Sequence, residues 1–219
     1  MMNPSKNKLI RIGSQWDVYE HYVESKFLDN EGLASRKATR AFLKQVDEIR
    51  PDVVHLHNIH DHYINYRLLF QYLAEMDIPV VWTQHDQWAT TGHCAFNLCG
   101  CERWKIGCHD CPLSKWYSLD QSHRNYQLKQ KLLTNIPSLT IIPVSEWLGD
   151  NIRQSYLKNR PIQVIHNGID IHTFCPQPVN AHERYGIAKE KKIVLGVAAV
   201  WDVRKGLNDF YELAQRLPS

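Results

Sequence analysis

Two short stretches of sequence decide the fold. Residues 51–58 read Pro-Asp-Val-Val-His-Leu-His-Asn, and residues 78–86 read Ile-Pro-Val-Val-Trp-Thr-Gln-His-Asp. Each contains a short apolar run of the kind that forms a buried strand. In each, the apolar run gives way to histidines and a polar residue, so each predicted strand ends in side chains that can bind or react.

Predicted helices flank these two strands on both sides. Apolar spacing of about 3.6 residues predicts helices over residues 35–50, 68–76, 122–133, 146–156 and 207–217. Further strands are predicted over residues 139–144, 162–165 and 192–200, whereas residues 8–30 show no clear pattern. Strands that alternate with helices predict an α/β fold with a Rossmann-like, doubly wound parallel sheet.

The pattern also predicts a division of the chain. We expect residues 1–175 to form an N-terminal domain with a cysteine-rich insert at 93–112, and the polar, proline-containing residues 176–191 to be a linker. Residues 192–219 then supply one strand and one helix of a second Rossmann-like domain. Ordering a residue costs about 1–2 kcal/mol, which a lone strand and helix cannot offset, so this second domain is expected to be incomplete.

Composition excludes several classes of protein. The chain has 219 residues, of which 43% are hydrophobic, which excludes a disordered chain. A net charge of +3 is too small for a protein whose main partner is nucleic acid. The longest apolar run, residues 194–201, is too short to span a bilayer, and the N-terminus lacks the apolar segment of a signal peptide. We therefore expect a cytoplasmic protein.

Polar clusters follow three of the predicted strands. They are His55-Leu-His57-Asn58, Thr83-Gln-His85-Asp86 and His166-Asn167-Gly168. Ligands of open parallel sheets bind beyond the carboxyl ends of the strands, so these clusters predict a cleft that holds sugar hydroxyls or phosphates. Any one histidine can instead be a partly buried structural side chain. His55 and His57 share one face of a strand and could also chelate the metal of a hydrolase, although the chain has too few strands for the closed barrel of such enzymes.

Cysteines are concentrated in the insert. Five of the six fall between residues 94 and 111, and the spacing Cys94-x6-Cys101-x6-Cys108-x2-Cys111 suits a tetrahedral zinc site. Cys99 is a spare ligand, and His93 and His109 are weaker ones. Free thiols, a disulfide or an iron–sulfur centre are the alternatives. Four thiolates leave zinc no open position, so the metal would stabilise the loop and take no part in chemistry.

The same cysteines allow a different class of protein. A zinc-stapled module that binds nucleic acid would use Trp104, Lys105 and Trp116 as aromatic and basic contacts. The nearly balanced charge argues against this alternative.

The order of the motifs resembles family 4 glycosyltransferases from about Lys8 onward. The segments that carry the resemblance are residues 51–60, 78–86, 144–148, 164–170 and 204–207. These enzymes have the GT-B fold, in which two Rossmann-like domains face each other across a cleft. The cysteine-containing insert is similar to that of a bacterial subgroup that builds capsule, exopolysaccharide or O-antigen.

The resemblance implies a reaction and its participants. A nucleotide-diphosphate sugar would donate its sugar to a hydroxyl acceptor with retention of configuration, without a catalytic metal. The acceptor would be a saccharide or a lipid-linked saccharide, so peripheral contact with the cytoplasmic face of the inner membrane is expected, and nucleic acid is not an expected partner. No amphipathic membrane helix is evident in the sequence.

The resemblance also assigns roles to individual residues. His85 matches the histidine that contacts the donor sugar, and Arg204 and Lys205 match the basic pair that neutralises the donor diphosphate as the sugar leaves. Asp86 would orient His85 or line the acceptor side. The remaining predicted site residues are Asn167 and Gly168, at a tight turn before the crossing between domains on the donor side, and His57 and Asn58, on the acceptor side.

Two features of the family are absent from the sequence. No glycine-rich loop precedes His55, and no glutamate-containing donor motif follows Lys205. The chain therefore looks truncated at both ends relative to the family, and we expect the 219 residues alone to be inactive.

Overall fold

The computed structural model describes residues 7–96, 100–112, 119–201 and 205–217. It divides into two compact units, residues 1–168 and 169–219, so the division falls at residue 168, before the boundary predicted at residue 175. No helix in the described part of the chain is long and apolar enough to cross a bilayer.

A parallel sheet forms the centre of the first unit. Its strands are β1 (Val54–Leu56), β2 (Val80–Gln84) and β3 (Leu139–Pro143), in the order β1-β2-β3. Val54 lies opposite Val80, and Val80 opposite Leu139. The parallel α/β architecture predicted from the sequence is thus confirmed. The strand predicted over residues 162–165 is reduced to one bridge, Ile141 with Ile162, although one further backbone hydrogen bond, from Ile165 N–H to the Pro143 carbonyl, keeps the segment alongside β3.

Five helices are described in the first unit. They are α1 (Gln15–Leu28), α2 (Arg36–Ile49), α3 (Tyr66–Glu75), α4 (Ser122–Leu133) and α5 (Glu146–Arg153). Side-chain caps begin three of them, since Ser14, Asn65 and Ser145 each accept a hydrogen bond from a backbone N–H of the first turn. Helix α1 lies in the stretch without a clear pattern, because it buries only His21 and Ser25 and so has no apolar stripe.

The core lies on one face of the sheet. Val80 and Trp82 of β2 are buried there, and the Trp82 ring lies 5.7 Å from that of Phe70 on α3. Side chains alternate between the two faces of a strand, so the neighbouring residues of β2 point the other way. On that second face His55 is exposed and Thr83 is half-buried. The open face of the sheet is where the predicted histidines lie.

The second unit differs from its prediction. It contains α6 (Ala181–Tyr185) and α7 (Leu207–Arg216), but residues 192–200 form no strand. A strand needs the N–H and C=O groups of a neighbour, and no other strand is described in this unit. The apolar residues Leu195 and Val197 are instead 79% and 85% exposed. The prediction of a strand there is therefore wrong for this chain.

Candidate functional site

Histidines from two neighbouring strands meet on the open face of the sheet. The parallel register places His55 opposite Val81, so His57, just beyond β1, lies near Thr83 and His85, just beyond β2. The His55 Nε2 atom is 2.8 Å from Thr83 Oγ1, and the His57 Nδ1 atom is 3.1 Å from His85 Nε2. The structure thus brings the first two predicted clusters into direct contact at the carboxyl ends of the strands.

The surroundings of His57 favour its neutral form, which can both donate and accept hydrogen bonds. Partial burial lowers the pKa of His57, and the neighbouring imidazoles of His55 and His85 lower it further because each would repel a second cation. His57 is therefore neutral at pH 7. It shares one hydrogen bond with His85, and both side chains remain exposed to solvent. The pair offers donors and acceptors of the kind that sugar hydroxyls require.

The backbone under His57 and Asn58 is held from two directions. The Trp82 indole Nε1–H donates to the His57 carbonyl over 3.1 Å, and the Tyr63 hydroxyl donates to the Asn58 carbonyl over 2.7 Å. These bonds fix the turn that follows β1. His57 is therefore presented on an ordered loop, and Asn58 leaves its exposed side chain available.

Of the two roles expected for Asp86, the described contacts include no hydrogen bond to His85, whereas Asp86 does line one small space together with His57, Asn58 and His85. Its Oδ2 atom lies 2.8 Å from His60 Nε2, and its Oδ1 atom accepts a hydrogen bond from the Trp88 backbone N–H over 2.9 Å. The chain bends directly after β2, at residues 85–87, and this bend brings Asp86 to His60 and to the Trp88 backbone. Asp86 holds the loop that follows β2 in place of acting on His85.

His60 is a residue that the sequence reasoning missed. Burial by itself lowers the pKa of an imidazole, but the hydrogen bonds and negative charges of Asp61 and Asp86 outweigh it and raise the pKa of His60 to about 10. His60 is therefore a cation at neutral pH, paired with a carboxylate that directly follows His85. The sequence did offer one indication of a role for His60, because it lies only three residues after the predicted site residue His57.

Gln84 was missed as well. Its side-chain amide is buried at the end of β2, and neither the oxygen nor the nitrogen has a hydrogen-bond partner among the described residues. The sequence alone shows only a polar residue inside an apolar strand.

The remaining predicted site residues are Asn167, Gly168, Lys205 and Arg204. Asn167 and Gly168 are exposed at the end of the first unit and form no turn, contrary to the expectation. Lys205 is exposed in the second unit, directly before Gly206, the N-cap of α7. Arg204 lies outside the described residues.

A basic groove lies beside the N-terminal turns of α2, α3 and α4. It has a volume of about 560 Å³. The described residues that line it include four arginines and no carboxylate; the arginines are Arg36, Arg40, Arg67 and Arg124. Guanidinium groups and helix N-termini both attract negative charge, so this groove suits an anion.

The four predicted metal ligands lie around one cavity. Cys94, Cys101, Cys108 and Cys111 all line a space of about 20 Å³, together with His93. Burial raises the pKa of the Cys94 thiol and raises that of Cys108 to about 11. Cys99 lies outside the described residues, and Cys175 is exposed in the second unit.

Neither alternative class of protein finds support in this geometry. Trp104 is buried and cannot stack on a base, Lys105 pairs with Glu102 over 2.6 Å, and Trp116 lies outside the described residues. His55 and His57 belong to neither of the two side-chain groups that could hold a metal ion in the described part of the chain. Those groups are Asp29 with His93 and Asp120, and Glu31 with His60 and Asp61.

Comparison with known proteins gives a family. The model of the family described as Glycosyltransferase Family 4 matches residues 8–173. The protein WcaC of Escherichia coli (strain K12), whose name assigns it to glycosyl transfer in colanic acid biosynthesis, is 33% identical over 133 residues. That match covers 56% of this chain and 32% of WcaC, so the chain spans about a third of the length of this curated relative.

Proposed function

Because this chain belongs to glycosyltransferase family 4, we propose that it supplies the acceptor-side domain of an enzyme that transfers a sugar from a nucleotide-diphosphate sugar to a saccharide hydroxyl. The name of the relative WcaC supports a role in the biosynthesis of a surface polysaccharide. Transfer would retain the configuration of the anomeric carbon, as the family resemblance implies.

The observation that carries the proposal is the contact between His57 and His85. Their ring nitrogens lie 3.1 Å apart at the carboxyl ends of adjacent parallel strands, on the open face of the sheet. In the proposed reaction a bond forms between the acceptor oxygen and the anomeric carbon, the bond from that carbon to the diphosphate oxygen breaks, and the proton of the acceptor hydroxyl passes to the leaving diphosphate. His85 would hold a hydroxyl of the donor sugar near this carbon, and neutral His57 would fix the ring orientation of His85.

The leaving diphosphate needs positive charge. Lys205 and Arg204 would neutralise the charge that develops on it as the sugar departs, which lowers the barrier to bond breaking. Asn167 and Gly168 would lie on the chain that leads to this donor side. These four roles come from the family resemblance and are proposals for this chain.

The basic groove supports a proposal about the acceptor. Four arginines, of which Arg36 also pairs with Glu24 over 3.7 Å, suit a phosphate-bearing molecule, such as a lipid-linked saccharide. Such an acceptor would bring the enzyme to the cytoplasmic face of the inner membrane, which is the location we propose.

The decisive experiment replaces His85 in the full-length protein of the reading frame that encodes these residues. We expect His85→Ala to lower the turnover of sugar transfer by about 100-fold or more, in the range of a lost catalytic contact, with unchanged thermal stability. His172→Ala, which removes an exposed histidine in the second unit, is the matched control and should transfer normally. Unchanged turnover in the His85 variant would remove this residue from the site.

A second assay tests the chain by itself. We propose that the 219 residues alone give no transfer, because the donor side requires more than the helices that the second unit contributes. Purified chain is incubated with a panel of nucleotide sugars and acceptor extracts, and sustained product formation would contradict the proposal.

A further inference from the structure

The cavity in the cysteine-rich insert has the size and lining of an ion site. At about 20 Å³ it has room for a single small occupant. Cys94, Cys101, Cys108 and Cys111 all line it. Four cysteines around one small space match the number of ligands in a structural zinc site.

Neighbouring carboxylates offer a competing set of ligands, but their oxygens are already engaged. Asp29, His93 and Asp120 lie within 4.8 Å of one another. Asp29 Oδ2 accepts a hydrogen bond from the Gln121 N–H over 2.8 Å, and Asp120 accepts from the backbone N–H groups of Cys111 and Ser122. Backbone N–H groups and His93 already contact these carboxylate oxygens, whereas the four cysteines line the cavity.

We propose that Cys94, Cys101, Cys108 and Cys111 bind one zinc ion as four thiolates in a closed structural site. Thiolate sulfurs select zinc over harder cations, and four of them leave no position for water or substrate. The ligand atoms of a tetrahedral zinc site lie about 3.8 Å apart, from Zn–S bonds of about 2.3 Å. No three of these sulfurs lie within 4.8 Å of one another in the structure, so metal binding would draw the segments of the insert closer together.

Groups around the cavity fit a negatively charged centre. The Gly92 backbone N–H donates to Cys108 Sγ over 3.2 Å, and His93 Nε2 lies 3.1 Å from Cys111 Sγ. The other ring nitrogen of His93 lies 3.0 Å from Asp29, which fixes the ring. Four thiolates around Zn²⁺ carry a net charge of −2, and these N–H groups stabilise that charge by hydrogen bonds to sulfur. His93 is thus an orienting contact and not a fifth ligand.

The site would stabilise the loop that follows the candidate active site. Directly after Asp86, Gln87 N–H donates to the Ala95 carbonyl over 2.9 Å, and the Thr91 hydroxyl donates to the Cys94 carbonyl over 2.5 Å. The loop therefore closes on itself beside Cys94. Zinc would tie it to residues 101–111 as well, which places a structural metal within ten residues of His85 along the chain.

The test is metal analysis of the full-length protein, purified without chelator and with reductant. We expect about one zinc per chain, and loss of most of that metal in Cys94→Ser, Cys101→Ser, Cys108→Ser and Cys111→Ser. Cys175→Ser is the matched control and should keep its zinc, because this thiol is exposed in the second unit. His93→Gln should keep the metal while weakening its affinity by about 10–100-fold. Absence of stoichiometric zinc from the wild type would overturn the proposal.

A second measurement covers the case in which a cysteine variant fails to fold. Wild-type protein is alkylated before and after treatment with EDTA, and the modified cysteines are identified by mass spectrometry. We expect the four ligands to be protected until the metal is removed, while Cys175 reacts in both samples. Equal labelling with and without EDTA, or a disulfide between any of the four, would contradict the proposal. None of these readouts depends on sugar transfer, so the metal site and the proposed function can fail separately.

Discussion

The ion pair between His60 and Asp86 makes a prediction about stability and pH. The two side chains are 2.8 Å apart and only 17% and 14% exposed, so solvent screens the pair weakly. The carboxylates of Asp86 and Asp61 raise the pKa of His60 from 6.5 to about 10, against the effect of burial. A hydrogen bond to a charged group contributes about 1.5–3 kcal/mol. Replacing His60 by glutamine should therefore lower the free energy of unfolding by about 2 kcal/mol at pH 6.

The sign of the pH dependence follows from the direction of the shift. Because folding raises the pKa of His60, the folded state binds this proton more tightly than the unfolded state. The stabilisation is fully present below pH 6.5 and is lost as pH rises towards about 10. The difference in unfolding free energy between wild type and His60→Gln should therefore shrink steadily between these two values.

Urea denaturation at several pH values measures this difference, with the fluorescence of the buried residues Trp82 and Trp88 as the signal. Asp86→Asn is the control, because asparagine keeps an oxygen for the Trp88 N–H but removes the charge. In the Asp86→Asn background the effect of His60→Gln should become smaller, and what remains is the contribution of Asp61, which lies 3.6 Å from His60 Nδ1. If the difference in unfolding free energy between wild type and His60→Gln stays constant from pH 6 to pH 10, the claim that His60 is a cation in the folded protein is refuted.

Two further predictions concern the core and the second unit. Phe70 is fully buried beside Trp82, so Phe70→Ala should lower the free energy of unfolding in urea by about 3–5 kcal/mol. Phe27 is 59% exposed, so Phe27→Ala should change that free energy by less than about 0.5 kcal/mol. Similar losses in the two variants would contradict the described core. Lys205→Ala in the full-length protein should weaken nucleotide-sugar binding, measured by calorimetric titration, by about 1.5–3 kcal/mol. Lys191 is another exposed lysine of the second unit, and Lys191→Ala should leave the affinity unchanged. Equal affinities of the two variants for the nucleotide sugar would count against a role for Lys205.

The sequence was most informative where local pattern and tertiary packing agree. Helix α4 begins and ends at the residues that its apolar spacing predicts, and β1 and β2 form where short apolar runs meet polar ends. Helix α1 escaped prediction because its buried side chains, His21 and Ser25, are polar. The strand predicted over residues 192–200 failed for the opposite reason, since an apolar run forms a strand only when a neighbour pairs with it.

Part of the candidate site was also predictable from the sequence. The contact between His57 and His85 follows from parallel neighbouring strands, because both residues lie just beyond the carboxyl ends. The partner of Asp86 was not predictable in this way. Which face each side chain takes beyond the end of a strand depends on how the loop leaves the sheet, and only the structure shows that Asp86 turns towards His60.

Asp29 makes the cysteine-rich insert hard to exchange between proteins. This residue is fully buried at the C-terminal end of α1. Its side chain contacts His93 of the insert and accepts a hydrogen bond from the backbone N–H of Gln121, beside α4. Its backbone carbonyl accepts a hydrogen bond from the side-chain amide of Asn125 on α4. Deleting the insert would remove His93 and leave a buried carboxylate with a single N–H partner, a loss of the kind that costs about 3–5 kcal/mol. The insert therefore cannot be deleted from this protein, or transferred to another, without a change at the position of Asp29. Family members that lack it should have an uncharged residue at the position of Asp29, and an engineered transfer of the insert must carry this aspartate with it.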